Sequence, residues 1–159
     1  MTSRRPQLLV LGALLALALS TAACAWLSAP SQVASGPLLS VETRGGLCVD
    51  GPCGTTIFVE RDGRVHQAAK PPNDLGVVSP AALAALDDAI RTADFAEIES
   101  HPFTGLCPTA VDGQELVFEF GAPGGLQRIA SCEVAIDYGS PLFVAVATAM
   151  APFISLPTP

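Results

Sequence analysis

Five cysteines and two histidines are the residues of this 159-residue chain best equipped for chemistry, and their spacing narrows what they can do. Cys48 and Cys53 stand too far apart for the C-x-x-C of a redox pair, and their x4 spacing is not that of a zinc ribbon. His66 and His101 have no second histidine or cysteine at helical or turn spacing. No serine lies in a G-x-S-x-G elbow, and Gly139-Ser140-Pro141 reads instead as a helix start. Of the two possible general bases, His66 falls on an expected strand and His101-Pro102 in an expected loop. Asp94, Glu97 and Glu99 lack the spacing and turn glycine of a calcium loop and read as a solvated edge. No catalytic residue, metal ligand or cofactor follows from these types and spacings.

Cys24 belongs to a different context. Arg4 and Arg5 precede an uncharged apolar run, Leu8 to Leu19, and small residues then lead into "STAAC". A basic start, an apolar stretch of about a dozen residues and a small-residue exit make an export signal. The stretch falls short of the ~20 residues that span a bilayer. "TAAC" resembles the lipobox of bacterial lipoproteins, although Thr21 stands where that motif prefers Leu. The resemblance implies that Cys24 is lipidated and becomes the first mature residue. The alternative is cleavage after Ala25 and simple secretion, since Ala23-Cys24-Ala25 also fits the small-x-small rule. Residues 1–23 are therefore expected to be a signal peptide, 24–37 an anchor and tether, and 38–159 one globular domain.

The remaining cysteines, Cys48, Cys53, Cys107 and Cys132, are even in number, as disulfides in an exported chain require. Four cysteines allow three pairings. Cys48–Cys53 and Cys107–Cys132 are favoured because each closes a local loop at a strand end. Residues 24–159 keep all fifteen acidic groups and six of the eight basic ones, a net charge of −9. Such a surface argues against nucleic acid and against an electrostatic grip on anionic headgroups, so membrane attachment falls to the lipid.

The elements that position these residues follow from pattern. "LLSVETR" (38–44) reads as a strand and "GGLCVDGPCG" (45–54) as a glycine-rich loop closed by a disulfide. "TTIFVE" and "RVHQA" flank Asp62-Gly63, a strong hairpin signal, and "KPPNDLG" ends that unit. Ser79-Pro80 opens a helix whose Ala82, Leu83, Leu86, Ala89, Ile90 and Ala93 share one face. "DFAEI" adds a short turn that seats Phe95 and Ile98 on the core. A polar loop leads to "QELVFEF" (114–120), where Leu116, Phe118 and Phe120 face one way. "GAPGG" turns the chain into "LQRIASC", and "SPLFVAVATAM" (140–150) repeats the Ser-Pro start as a buried helix. A strand followed by ββαββα gives an α+β fold: an antiparallel sheet of about five strands with two main helices on one face.

That order, the Asp62-Gly63 hairpin, the helix from Ser79 and the second hairpin, is similar over about residues 38–156 to small bacterial domains of the emfourin type and to many envelope lipoproteins. The resemblance implies metalloprotease inhibition as one activity; no inhibitory residue carries over, because no motif position matches. The function expected is that of a lipid-anchored envelope protein whose small non-enzymatic domain binds a protein partner. An exposed apolar patch on the sheet face opposite the helices would mark the contact. A protease inhibitor is one alternative. A hydrolase or metal-binding protein is the other, and it requires His66, His101 and the acidic groups to converge.

Overall fold

The computed structural model describes residues 36–48 and 51–158, the side chains of residues 47, 48, 51 and 52 apart. The expected signal peptide, Cys24 and most of the tether lie outside the described residues. Six strands form one antiparallel sheet: β1 (Leu39–Cys48), β2 (Gly51–Val59), β3 (Arg64–Gln67), β4 (Asn73–Val77), β5 (Gln114–Ala122) and β6 (Gly125–Ala130), in the order β4-β3-β2-β1-β5-β6. Helices α1 (Pro80–Thr92) and α2 (Phe95–Glu99) follow β4, and α3 (Pro141–Met150) follows β6.

The first strand takes the centre because both hairpins bring an apolar face to it. Leu39 and Val41 oppose Val59 and Ile57 on one side, and Phe120 and Phe118 on the other. All six are buried, beneath Leu86 and Ile90 of α1 and Leu142, Phe143 and Val146 of α3. Each such side chain contributes roughly 1.5–3 kcal/mol when taken out of water. The Phe143 ring meets Phe118 edge-on at 5.2 Å, and Phe95 of α2 packs against Phe120 at 5.4 Å. Helix α1 starts as its sequence directs: the Ser79 hydroxyl accepts the Ala82 N–H at 3.3 Å, with Pro80 in the first turn. No helix among the described residues is long and apolar enough to cross a membrane.

Two features differ from expectation. The segment 45–54 is not a loop but the far end of the β1–β2 hairpin. Gly45 and Gly46 take φ of +83° and +86°, which absorbs a bulge after Arg44, and pairing resumes at Leu47–Pro52 and Cys48–Gly51. The sheet also has a sixth strand, β4, drawn from the polar stretch after Pro71-Pro72. Asn73 and Asp74 are exposed on this edge strand, and a bulge opposite Val65 and His66 breaks its alternation. Flanking prolines, charge and a bulge all keep an edge from pairing with other chains, and all disguise it in sequence.

The sheet face away from the helices carries polar and charged groups among its described side chains. The Ser40 hydroxyl donates to Glu119 at 3.3 Å, and Arg44 grips both oxygens of Glu42 at 2.7 and 2.8 Å. That grip, through its hydrogen bonds first, holds the Glu42 carboxyl below the ordinary carboxylate range. Val77 and Leu126, both well exposed, stand on the opposite edge strands β4 and β6 and do not make one patch. Among the described residues, this face carries no large exposed apolar patch of the kind that would mark a partner contact.

Candidate functional site

The two stretches without periodicity, 99–113 and 131–138, build a concave part of the surface. They pair with one another: Phe103 N–H donates to the Glu133 carbonyl at 2.9 Å, Ala135 N–H donates to the His101 carbonyl at 2.8 Å, and Pro102 bridges Val134. The expected Cys107–Cys132 disulfide joins them covalently, with Cα atoms 5.2 Å apart. A 3-10 turn, Pro108–Val111, follows Cys107; Asp112 takes a left-handed φ of 61° to end it, and Gly113 N–H donates back to the Pro108 carbonyl at 2.7 Å. Leu116 N–H donates to the Ser131 hydroxyl at 3.0 Å, which fixes the root of the second stretch to β5.

Between these walls lies a groove of about 570 Å³. Phe103, Pro108, Leu116, Val134, Ile136 and Tyr138 supply its apolar lining, with Gln114, Ser131 and Asp137 at polar points. The Phe103 ring can lie where it does because Gly105 has no side chain: a Cβ there would stand 2.7 Å from Cζ. Tyr138 is half-buried against the edge of Phe143 at 5.8 Å, and burial pushes its phenol above the ordinary value.

A second cleft, about 350 Å³, shares Ala135 and Asp137 with the first as a common wall. Glu97, Ile98, His101, Ser140 and Phe143 complete it. Asp94 caps α2 by accepting the Glu97 N–H at 3.0 Å, which turns Glu97 toward His101 one turn later. His101 Nδ1 lies 2.9 Å from the Glu97 carbonyl, and Nε2 lies 3.8 Å from its carboxylate. One Asp137 oxygen accepts the Gly139 N–H at 2.9 Å, so this carboxylate shapes the turn into α3 while lining both clefts. Ser140 departs from expectation. Its backbone angles (−66°, 153°) nearly repeat those of Ser79 (−60°, 146°), yet its hydroxyl makes no cap bond and is buried without a partner.

The two histidines do not converge. His66 sits on β3 on the far face, stacked on Phe58 at 5.1 Å, in a separate pocket of about 230 Å³ with Arg64, Pro72 and Asp74. No group of three or more His, Cys, Asp or Glu side chains suited to a metal is present among the described residues. Cys53 is disulfide-bonded, and the side chain of Cys48, its expected partner, lies outside the described residues. Of the acidic trio, Asp94 is a helix cap, Glu97 faces the cleft and Glu99 is exposed.

Sequence reasoning passed over Asp137, Tyr138 and Phe103. The signal that could have found the first is the turn run Asp137-Tyr138-Gly139-Ser140-Pro141. The second half of the sequence is acidic. From residue 92 to the C-terminus the sequence carries eight acidic groups and one basic one, Arg128, which pairs with Glu133 at 2.8 Å. The arrangement offers an apolar slot with one carboxylate, Asp137, in its lining, beside a cleft that adds Glu97, on a covalently stapled frame. Comparison with known protein families, with curated proteins and with solved structures finds no match for this chain.

Proposed function

We propose that this chain is an exported envelope protein, lipid-anchored through Cys24, whose small non-enzymatic domain binds a protein partner in the groove between residues 103–108 and 134–138. The observation that carries this reading is the groove itself: five apolar side chains on two segments clamped together by a disulfide, with Leu116 of β5 as a sixth. The groove is concave and mostly apolar, with Gln114, Ser131 and Asp137 as its polar points, the make-up of a surface that receives an apolar side chain. The separation of His66 from His101 favours binding over hydrolysis.

The experiment is photo-crosslinking in the living cell from a benzophenone side chain placed at Ile136, with the same group at Leu126 on the opposite side of β6 as control. A single adduct of defined mass from position 136, absent from position 126 and lost when Phe103→Ala is added, is the expected result. Equal labelling from both positions would end the reading.

A further inference from the structure

We propose that the occupant of this groove is a cationic, apolar segment of the partner protein, one apolar side chain filling the groove while a neighbouring Lys or Arg enters the adjoining cleft between Glu97 and Asp137. The inference rests on the groove being the binding surface and adds the chemistry of what binds there.

Three observations choose the occupant. The groove is lined by Phe103, Leu116, Val134 and Ile136, so it selects for an apolar side chain. The cleft on the other side of Ala135 and Asp137 has an apolar floor, Ile98 and Phe143, and carboxylates at its rim. A long basic side chain fits such a place, because its methylenes lie along apolar surface while its head meets the acids. The third observation is the field around both. No Lys or Arg lines either depression, and the one such residue in the sequence after Arg91, Arg128, is paired with Glu133, so the carboxylates Glu97 and Asp137 attract a cation there. Adjacent side chains of an extended segment point to opposite sides, so a segment laid along the shared wall of Ala135 and Asp137 turns one side chain toward each depression.

The same charge disfavours the other occupants. A second copy of a domain carrying −9 is repelled, and so is an anionic lipid surface. Asp137 and Glu97 are suited to discrimination as well as affinity, since a carboxylate segment brought to them leaves like charges facing one another.

The test uses the detergent-extracted mature protein and three fluorescein-labelled hexapeptides: alternating Leu and Lys, alternating Leu and Glu, and alternating Gly and Lys. Anisotropy should show the Leu/Lys peptide binding at least ten-fold more tightly than either of the others, with affinity falling as salt rises. The pair Glu97→Gln with Asp137→Asn should weaken it five-fold or more. Asn at 137 keeps an acceptor for the Gly139 N–H, so the turn survives. The control pair Asp87→Asn with Asp88→Asn, on the exposed side of α1, should leave it unchanged. Equal binding of the Leu/Glu peptide, abolished by Phe103→Ala, would overturn the cationic preference while leaving the groove as the binding surface. Binding of Gly/Lys as strong as Leu/Lys, or equal loss with the control pair, would overturn it as mere attraction to an acidic protein. Absence of binding by all three would also overturn it, and the crosslink from position 136 would then judge the groove independently.

Discussion

Cys107 and Cys132 stand 5.2 Å apart at Cα, and one wall of the main groove begins beside each of them. Pro108 follows the first cysteine and Ser131 precedes the second, so the bond ties the groove's two sides together where no helix or strand does. It encloses 25 residues of sequence, and loop closure of that length stabilises by roughly 3–4 kcal/mol in the chain-entropy model.

Replacing both cysteines, Cys107→Ser with Cys132→Ser, should therefore lower the thermal midpoint by more than about 10 °C, on a scale of several degrees per kcal/mol for a domain of this size. Differential scanning calorimetry measures it directly. A change below about 3 °C would mean that the two stretches hold each other without the bond.

Gly45 and Gly46 offer a matched pair. Both have positive φ, but a Cβ at Gly45 would stand 2.6 Å from Thr109 Cγ2 and 3.0 Å from the Gly113 carbonyl, whereas at Gly46 the nearest atoms are 3.5 Å away. Gly46→Ala should cost only the backbone term, roughly 1–3 kcal/mol. Gly45→Ala should cost clearly more in urea unfolding, and Thr109→Ser, which removes Cγ2 alone, should recover part of the difference. Equal costs at the two positions would contradict the close approach of the 3-10 turn to β1.

The two Ser-Pro helix starts should respond oppositely to loss of the hydroxyl. Ser79→Ala removes a cap bond and should cost about 0.5–1 kcal/mol, at the weaker end because the bond is 3.3 Å long. Ser140→Ala removes a buried hydroxyl that has no partner, which should be neutral or stabilising by up to about 1 kcal/mol. Chemical denaturation of the two single variants decides it. A loss at position 140 as large as that at 79 would show that the hydroxyl has a partner in solution.

Tyr138 is the chain's one tyrosine, so alkaline difference absorbance reads it without interference. Its midpoint in the folded protein should lie above 10.0 and return there in denaturant, because burial disfavours the phenolate. The linked stability effect has a definite sign. A folded value above the unfolded one leaves stability intact below the unfolded pKa and removes it as pH rises through the folded one. Tyr138→Phe should abolish that part of the alkaline loss. A folded midpoint at or below 10.0 would place the ring in water.

Local pattern spelled out the elements and left the site unwritten, for a physical reason. Helix α1 shows its Ser79 cap, its Pro80 and the spacing of Leu86 and Ile90, all interactions within a few residues of one another. Phe118 and Phe120 likewise declare the core face of β5 by alternation. Strand β4 escaped because an edge strand needs only a neighbour's backbone, and Asn73 and Asp74 carry no periodic signature. The length of the β1–β2 hairpin escaped because Gly45-Gly46 suggests a loop, whereas here it relieves a bulge. The groove depends on Phe103, Val134 and Asp137 meeting across some thirty residues of sequence, through backbone pairing and a disulfide rather than periodicity. The disulfide partner of Cys107 was legible; what that bond would hold open was not.

The measurement that tests the proposed anchored domain most directly is the intact mass of the protein extracted from membranes, taken before and after reduction and alkylation. The expected mass begins at Cys24, carries a diacylglycerol, and accepts alkylation at four thiols only after reduction. An unlipidated chain beginning at Trp26 would contradict the anchor, and alkylation of Cys107 or Cys132 without reduction would contradict the frame on which the groove is built.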